Sequence, residues 1–214
     1  MVEMASGGNS LLAVTCAVLG VSYLRVMHEG RWPLAKLTNV MARKLSGTAS
    51  HFVKLDVDGL LAPDAFLQLR NVLMPRPSAI VSIRPRRLPE GQYSALRWEQ
   101  LVSMSEDCGD YATWGMCMAH SFTAFEKLRG HDESFDSWGY EDNNYVHRAQ
   151  EAGFSSTLLD TSPPLLLHQW HPPTADHGNK DKEREQNSNG ETWGEMVVLE
   201  DRPIGGNQFV RAAW

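Results

Sequence analysis

The chain has 214 residues, of which 42% are hydrophobic, enough for one ordinary globular domain with a core. A formal net charge of -6 and a pI near 5.7 exclude nucleic-acid binding as the main task, which needs a dominant basic surface. Three cysteines without a close CxxC pair fit reduced thiols in a cytosolic protein, not a disulfide framework.

Residues 1–10 begin as a short strand stub and end in turn residues, with Ser10 placed to cap a helix running to about Gly20. Its apolar part, LLAVTCAVLGV (11–21), is too short to span a bilayer and follows Glu3 without a Lys or Arg. It reads as a buried helix in a chain with no transmembrane segment. VSYLRVM (21–27) is β-branched and apolar, a strand. PLAKLTNVMARKL (33–45) opens with Pro33 at a favoured first-turn position and repeats apolar residues at helical spacing. HFVKLDVD (51–58) is the next strand, APDAFLQLRNVL (62–73) a helix, and SAIVSI (78–83) a buried strand. Strands alternating with helices predict an α/β sandwich with a mostly parallel sheet. Residues 1–175 form the expected domain. The polar stretch 176–195, low in apolar residues, marks 176–214 as a tail or a lid over bound ligand.

Asp56 and Asp58 close the strand at 51–58, where α/β sheets bind ligands beyond their carboxyl ends. Residues i and i+2 of a strand point the same way, so both carboxylates can face one point. A divalent cation between them suits that placement, with Mg²⁺ or Mn²⁺ matching oxygen ligands. A turn in which Asp58-Gly59 ends the strand suits it as well. Residues 128–154 pack acidic groups, glycines and Trp138 ahead of a helix with Tyr145, Val146 and Ala149 on one face. Glu141 and Asp142 fall at its start, where the helix dipole favours a carboxylate. A positioned carboxylate is what a general base requires; capping by acidic residues gives the same pattern. In PPLLLHQWHPP (163–173), His168 follows an apolar run and His171 lies three residues on. Together with the paired aspartates they are candidate metal ligands. Arg84, Arg86, Arg87 and Arg97 read as a solvated basic loop, with an anion site as the competing assignment.

LDVDGLLAPDAF resembles the DxD segment of GT-A fold nucleotide-sugar glycosyltransferases. GHDESFDSWGYEDNNYVHRAQEAG resembles the WGxED block of family 2 enzymes and of the related β-1,4-galactosyltransferases. LLHQWHPP resembles the histidine segment of chondroitin-polymerase-like members. The three cover roughly residues 20–175 in the family's order. The resemblance implies transfer of a sugar from a nucleotide-sugar donor, a UDP-sugar, to an acceptor hydroxyl with inversion. It implies that Asp56 faces the ribose and metal, and that Asp58 ligates Mn²⁺ or Mg²⁺. His168 becomes a further ligand, with His171 as the alternative. Asp142 matches the catalytic base, and Glu141 the neighbour that contacts sugar or acceptor. Trp138 and Gly139 shape the donor-sugar and acceptor pocket, and Asn39 lies near the nucleotide. The family normally begins with a strand and helix ahead of the segment matching VEMASGGN, so the resemblance implies that this sequence starts at about the second strand. The competing functions are a sugar-nucleotide hydrolase or nucleotidyltransferase, and a non-catalytic nucleotide-sugar or carbohydrate-binding protein. A retaining transferase ranks lower, since retaining relatives tend to have Asn where Asp142 stands.

Overall fold

The computed structural model describes residues 2–5, 18–19, 24–27, 33–109, 114–135, 137, 139–172 and 209–211. The chain divides into two compact units: Met1–Lys44, His131–Glu141 and Gly178–Trp214 form one, and Leu45–Gly130 with Asp142–His177 the other.

In the first unit, β1 (Val2–Ala5) runs parallel to β2 (Leu24–Met27), and β11 (Phe209–Arg211) pairs antiparallel with the other edge of β2. Residues 209–211, which form this third strand, lie within the stretch expected as a tail or lid. The capped helix expected near 10–20 and the polar stretch 176–195 lie largely or wholly outside the described residues. Helix α1 (Leu34–Leu45) follows Pro33, whose carbonyl accepts the Leu37 N–H at 3.0 Å. Ala35, Leu37, Thr38, Asn39 and Ala42 are its buried residues, while Arg43 and Lys44 occupy the last turn, where the dipole favours cations.

Among the described residues, the second unit holds two four-stranded sheets. One has the order β3 (His51–Leu55), β8 (Cys117–Ser121), β5 (Ile80–Ile83), β9 (Ser156–Leu159). The other runs β4 (Gly59–Leu61), β10 (Leu166–His168), β6 (Pro85–Arg87), β7 (Glu106–Asp107). The α/β architecture agrees with the sequence reading, but the sheets are mixed. Reversed β8 lies between β3 and β5 and makes antiparallel pairs with both, whereas β5 and β9 are parallel. A strand's direction depends on how its connections cross the sheet, and no pattern of apolar residues records it.

The core follows from the apolar runs. β5 and β8 are buried along their whole lengths. Against them pack Ala65, Leu69 and Leu73 of α2 (Ala65–Leu73), spaced four apart on one helix face, together with Leu165 and Leu166. Helix α3 (Trp98–Met104) buries Leu101, and an aromatic group forms a further part of the core. Phe52 stacks on His120 at 4.6 Å, Phe125 of α4 (Phe122–Lys127) meets Phe52 edge-on at 5.1 Å, and Tyr145 meets His120 at 4.9 Å. Helix α5 (Glu141–Glu151) is fixed to this core by Tyr145, Val146 and Ala149, the face expected from its sequence, all of them buried. Arg148, also buried, donates to the Leu128 carbonyl at 2.8 Å and to the Gly130 carbonyl at 2.7 Å, and its Nε donates to Asn144 at 2.8 Å. One guanidinium thereby satisfies two carbonyls of the turn that follows α4.

Candidate active site

The opening between β3 and β4 is a tight turn. The Gly59 N–H donates to the Asp56 carbonyl at 3.0 Å, and the Asp56 N–H donates to the Met116 carbonyl at 2.9 Å. Gly59 fits closely: a Cβ there would lie 3.0 Å from Leu55 Cδ1 and 3.2 Å from both the Asp56 carbonyl oxygen and Leu166 Cδ1, so its neighbours would have to shift to admit a side chain. The turn and the carboxylate cluster are therefore the same structure.

β4 pairs antiparallel with β10 so that Gly59 faces His168, and the Gln169 N–H donates to the Asp58 carbonyl at 2.9 Å. That register carries Asp58 to the histidines. Asp58 Oδ2 lies 3.2 Å from His168 Nε2 and 3.3 Å from His171 Nε2, and the two Nε2 atoms are 3.2 Å apart. The His168 hydrogen bond holds the Asp58 carboxyl below the ordinary carboxylate range; partial burial opposes this, and the charges of His168 and His171 add to it. Asp58 Oδ1 is buried without a hydrogen-bond partner. Three ligand atoms of metal-binding types converge on one point, beside an unsatisfied carboxylate oxygen, so the donor set fits a divalent cation. His168 and His171 approach Asp58 equally, and geometry does not separate a first ligand from an alternative one.

Asp56 is placed differently. Its Oδ1 pairs with Lys54 Nζ at 2.5 Å, and the same Nζ donates to the Gly115 carbonyl at 2.6 Å. Burial pushes the Asp56 carboxyl up; Lys54 pulls it down, and the charges of Asp58 and Asp142 push it up again. Lys54 was not marked by the sequence reading. Its signal was a lysine two residues before an aspartate, between the apolar Val53 and Leu55 of the strand.

Asp142, half-buried, is the second residue of α5 and abuts Gly115. Asp56, Asp58, Asp142, His168 and His171 thus all belong to the second unit. Glu141, Gly139 and Asn39 belong to the first. Glu141 is buried, and its backbone carbonyl lies 3.2 Å from His131 Nδ1. Gly139 and Tyr140 both have positive φ, 100° and 66°, so the chain turns sharply before α5 in a conformation that favours glycine at the first position and strains the second. Asn39 is buried, and its amide is engaged by the protein. It donates to the His131 carbonyl at 2.8 Å and to Glu133 at 3.2 Å, and accepts the His131 N–H at 2.8 Å. As placed, it fixes the backbone at the start of the 131–141 segment. Trp138 lies outside the described residues. Of the arginines, Arg84 donates to the Gly109 carbonyl at 2.5 Å and pairs with Asp160 at 3.7 Å, and Arg86 donates to Ser105. Those cations are committed to the fold.

Residues 106–169 match the family model described as the N-terminal domain of galactosyltransferase. A comparison with curated protein sequences gives no match. Among solved structures, the catalytic domain of Drosophila β1,4-galactosyltransferase 7 in complex with xylobiose is similar at a TM-score of 0.55 and 18% identity, over 88% of this chain and 74% of that one. A mutant of that enzyme in complex with manganese, UDP-Gal and xylobiose gives 0.56 and 16%, over 92% and 82%. GalNAc-T7 with UDP, GalNAc and Mn²⁺ gives 0.56 and 15%, over 79% of this chain and 37% of that one. Among the described residues no helix is long and apolar enough to cross a membrane. The architecture of this chain is the GT-A glycosyltransferase fold, with a galactosyltransferase-type segment at residues 106–169.

Proposed function

We propose that the chain is a metal-dependent glycosyltransferase that moves a sugar from a UDP-sugar to an acceptor hydroxyl with inversion at the anomeric carbon. The observation that carries the reading is the convergence of Asp58, His168 and His171, with a buried Asp58 oxygen left over, in the same unit as Asp142. Two imidazoles beside one carboxylate suit a first-row transition ion better than Mg²⁺, which favours Mn²⁺ of the two. When bound, the cation supplies Lewis-acid stabilisation of the leaving diphosphate.

The protein groups do the rest. Asp58, His168 and His171 hold the cation. Asp56, with one oxygen taken by Lys54, offers its other to a ribose hydroxyl of the donor. The acceptor oxygen attacks the anomeric carbon while the bond from that carbon to the diphosphate oxygen breaks. The electron pair leaves with the nucleoside diphosphate, and the acceptor's proton passes to the Asp142 carboxylate. A general base of this kind typically contributes ~10²–10⁴ in rate. Support for galactose as the first sugar to try comes from the similar enzyme that carries UDP-Gal in its complex.

The test is a screen of nucleotide sugars with and without Mn²⁺, using xylobiose among the acceptors and reading released nucleoside diphosphate. Mn²⁺-dependent release with an inverted glycoside product is the expected result. Tight nucleotide-sugar binding with no turnover on any acceptor would assign the chain to a non-catalytic binding role instead. Release without glycoside would make it a hydrolase.

A further inference from the structure

Gly115 stands one residue before Met116 and two before β8, and its φ is outside the left-handed region, so its backbone does not demand glycine. Space demands it. A Cβ at 115 would lie 2.7 Å from Asp142 Oδ2, 3.0 Å from Asp142 Cγ and 3.1 Å from Asp142 Cβ. All three nearest atoms belong to one side chain, and that side chain is the candidate base. Any residue with a Cβ must push the carboxylate aside, because an aspartate is too short to bend away while keeping its head in place.

The carbonyl of the same residue is held from the other direction. Lys54 Nζ donates to it at 2.6 Å and is itself paired with Asp56 Oδ1 at 2.5 Å. Lys54 is the penultimate residue of β3, with its side chain 16% exposed, and these two contacts partner an ammonium largely withdrawn from water. The Gly115 peptide is therefore fixed by a side chain from the strand that leads to the turn carboxylates. On its other side it forms the surface on which Asp142 rests.

We propose that Lys54 and Gly115 act as one positioning device for Asp142: the lysine fixes the 115 carbonyl, and the missing side chain at 115 gives the carboxylate its seat. The inference rests on the reading of Asp142 as the base. It makes Lys54 and Gly115 positioning residues, since neither exchanges a proton with substrate.

The test compares Gly115→Ala in two backgrounds. In the wild-type background, turnover should fall by about 10²-fold, the scale expected when a reacting group is misplaced by about 1 Å. UDP and Mn²⁺ binding, measured by calorimetry without acceptor, should stay unchanged. In the Asp142→Asn background, adding Gly115→Ala should lower turnover no further, since the device has nothing left to position. Lys54→Met should give a smaller loss in kcat and Lys54→Arg should restore most of it. Wild-type turnover in Gly115→Ala overturns the proposal, and so does an equal loss in both backgrounds. If Gly115→Ala does not fold, the Lys54 pair decides in the same two backgrounds. Crystal structures of the wild type and Gly115→Ala separate this proposal from the function it builds on. Should the wild type transfer no sugar from any donor, the functional reading falls. An Asp142 carboxylate left unmoved by the alanine sinks the positioning role by itself.

Discussion

Asp56 and Asp58 are separated by a single residue in one turn, yet their surroundings are opposite. Asp58 faces two imidazoles, which hold its carboxyl down, and keeps one buried oxygen free of hydrogen bonds. Asp56 already has a cation, Lys54, and burial pushes its carboxyl up all the same. The two carboxylates of a D-x-D segment are therefore not interchangeable. One is surrounded by groups that can share a metal ion, and the other is tied into the protein and through it to Gly115. A carboxylate's task is set less by its place in a motif than by which positive or protic groups reach it first.

The sharpest way to break this contrast is to remove one carboxylate at a time. Asp58→Ala should abolish Mn²⁺-dependent donor binding, followed by calorimetry with UDP, and chelation of the wild type should have the same effect. Asp56→Ala should weaken nucleotide binding while Mn²⁺ alone still binds, as read by electron paramagnetic resonance of the ion. Equal loss of Mn²⁺ binding in both variants would erase the distinction. Next in size is Asp142→Asn, which keeps the shape and removes the proton acceptor. Turnover should drop by ~10²-fold or more with donor and metal binding nearly intact, whereas Glu141→Gln should act chiefly on apparent KM. A dead Glu141→Gln beside a near-normal Asp142→Asn would exchange the two roles.

The smallest effect is on acid stability. Asp58's folded carboxyl titrates below its ordinary value of 3.8, chiefly because of the His168 hydrogen bond. Around that value the folded chain then binds fewer protons than the unfolded chain. Its stabilising contribution is complete above the ordinary value and is lost as pH falls through the lower, folded one. In metal-free buffer the melting temperature of the wild type should fall more steeply below about pH 4 than that of Asp58→Asn. Parallel curves would show that the histidines do not hold Asp58 down.

Much of the fold was legible because its signals are local. The helical spacing in 33–45 and 141–151, and the apolar runs at 51–55, 80–83 and 166–168, each form the element their own residues favour. β8 was not legible. Its residues, CMAHS, include none of the β-branched types typical of strands, and they become a strand because β3 and β5 offer ladders on both sides. The convergence of Asp58, His168 and His171 could be anticipated as chemistry, but Lys54 and Gly115 could not. Their meaning lies in contacts with residues 61 and 27 positions away along the chain. Asn39 teaches the same lesson: an amide that looks available in a helix turns out to be engaged by a backbone segment 92 residues later.

The pairing of Gly59 with His168 has a consequence for opening of the sheet. Because His168 ends one strand of this pair and Asp58 immediately precedes the other, the strands cannot separate or slip by one residue without scattering the ligand atoms. A cation bound there is linked to the closed ladder. At a free concentration a hundred times its Kd it should add ~2.7 kcal/mol against any opening that destroys the site. Amide protons along Gly59–Leu61 and Leu166–His168 that exchange through opening of this ladder should therefore exchange with deuterium more slowly as Mn²⁺ is added, while exchange through local opening of β5 and β9, which carry no ligand, keeps its metal-free rate.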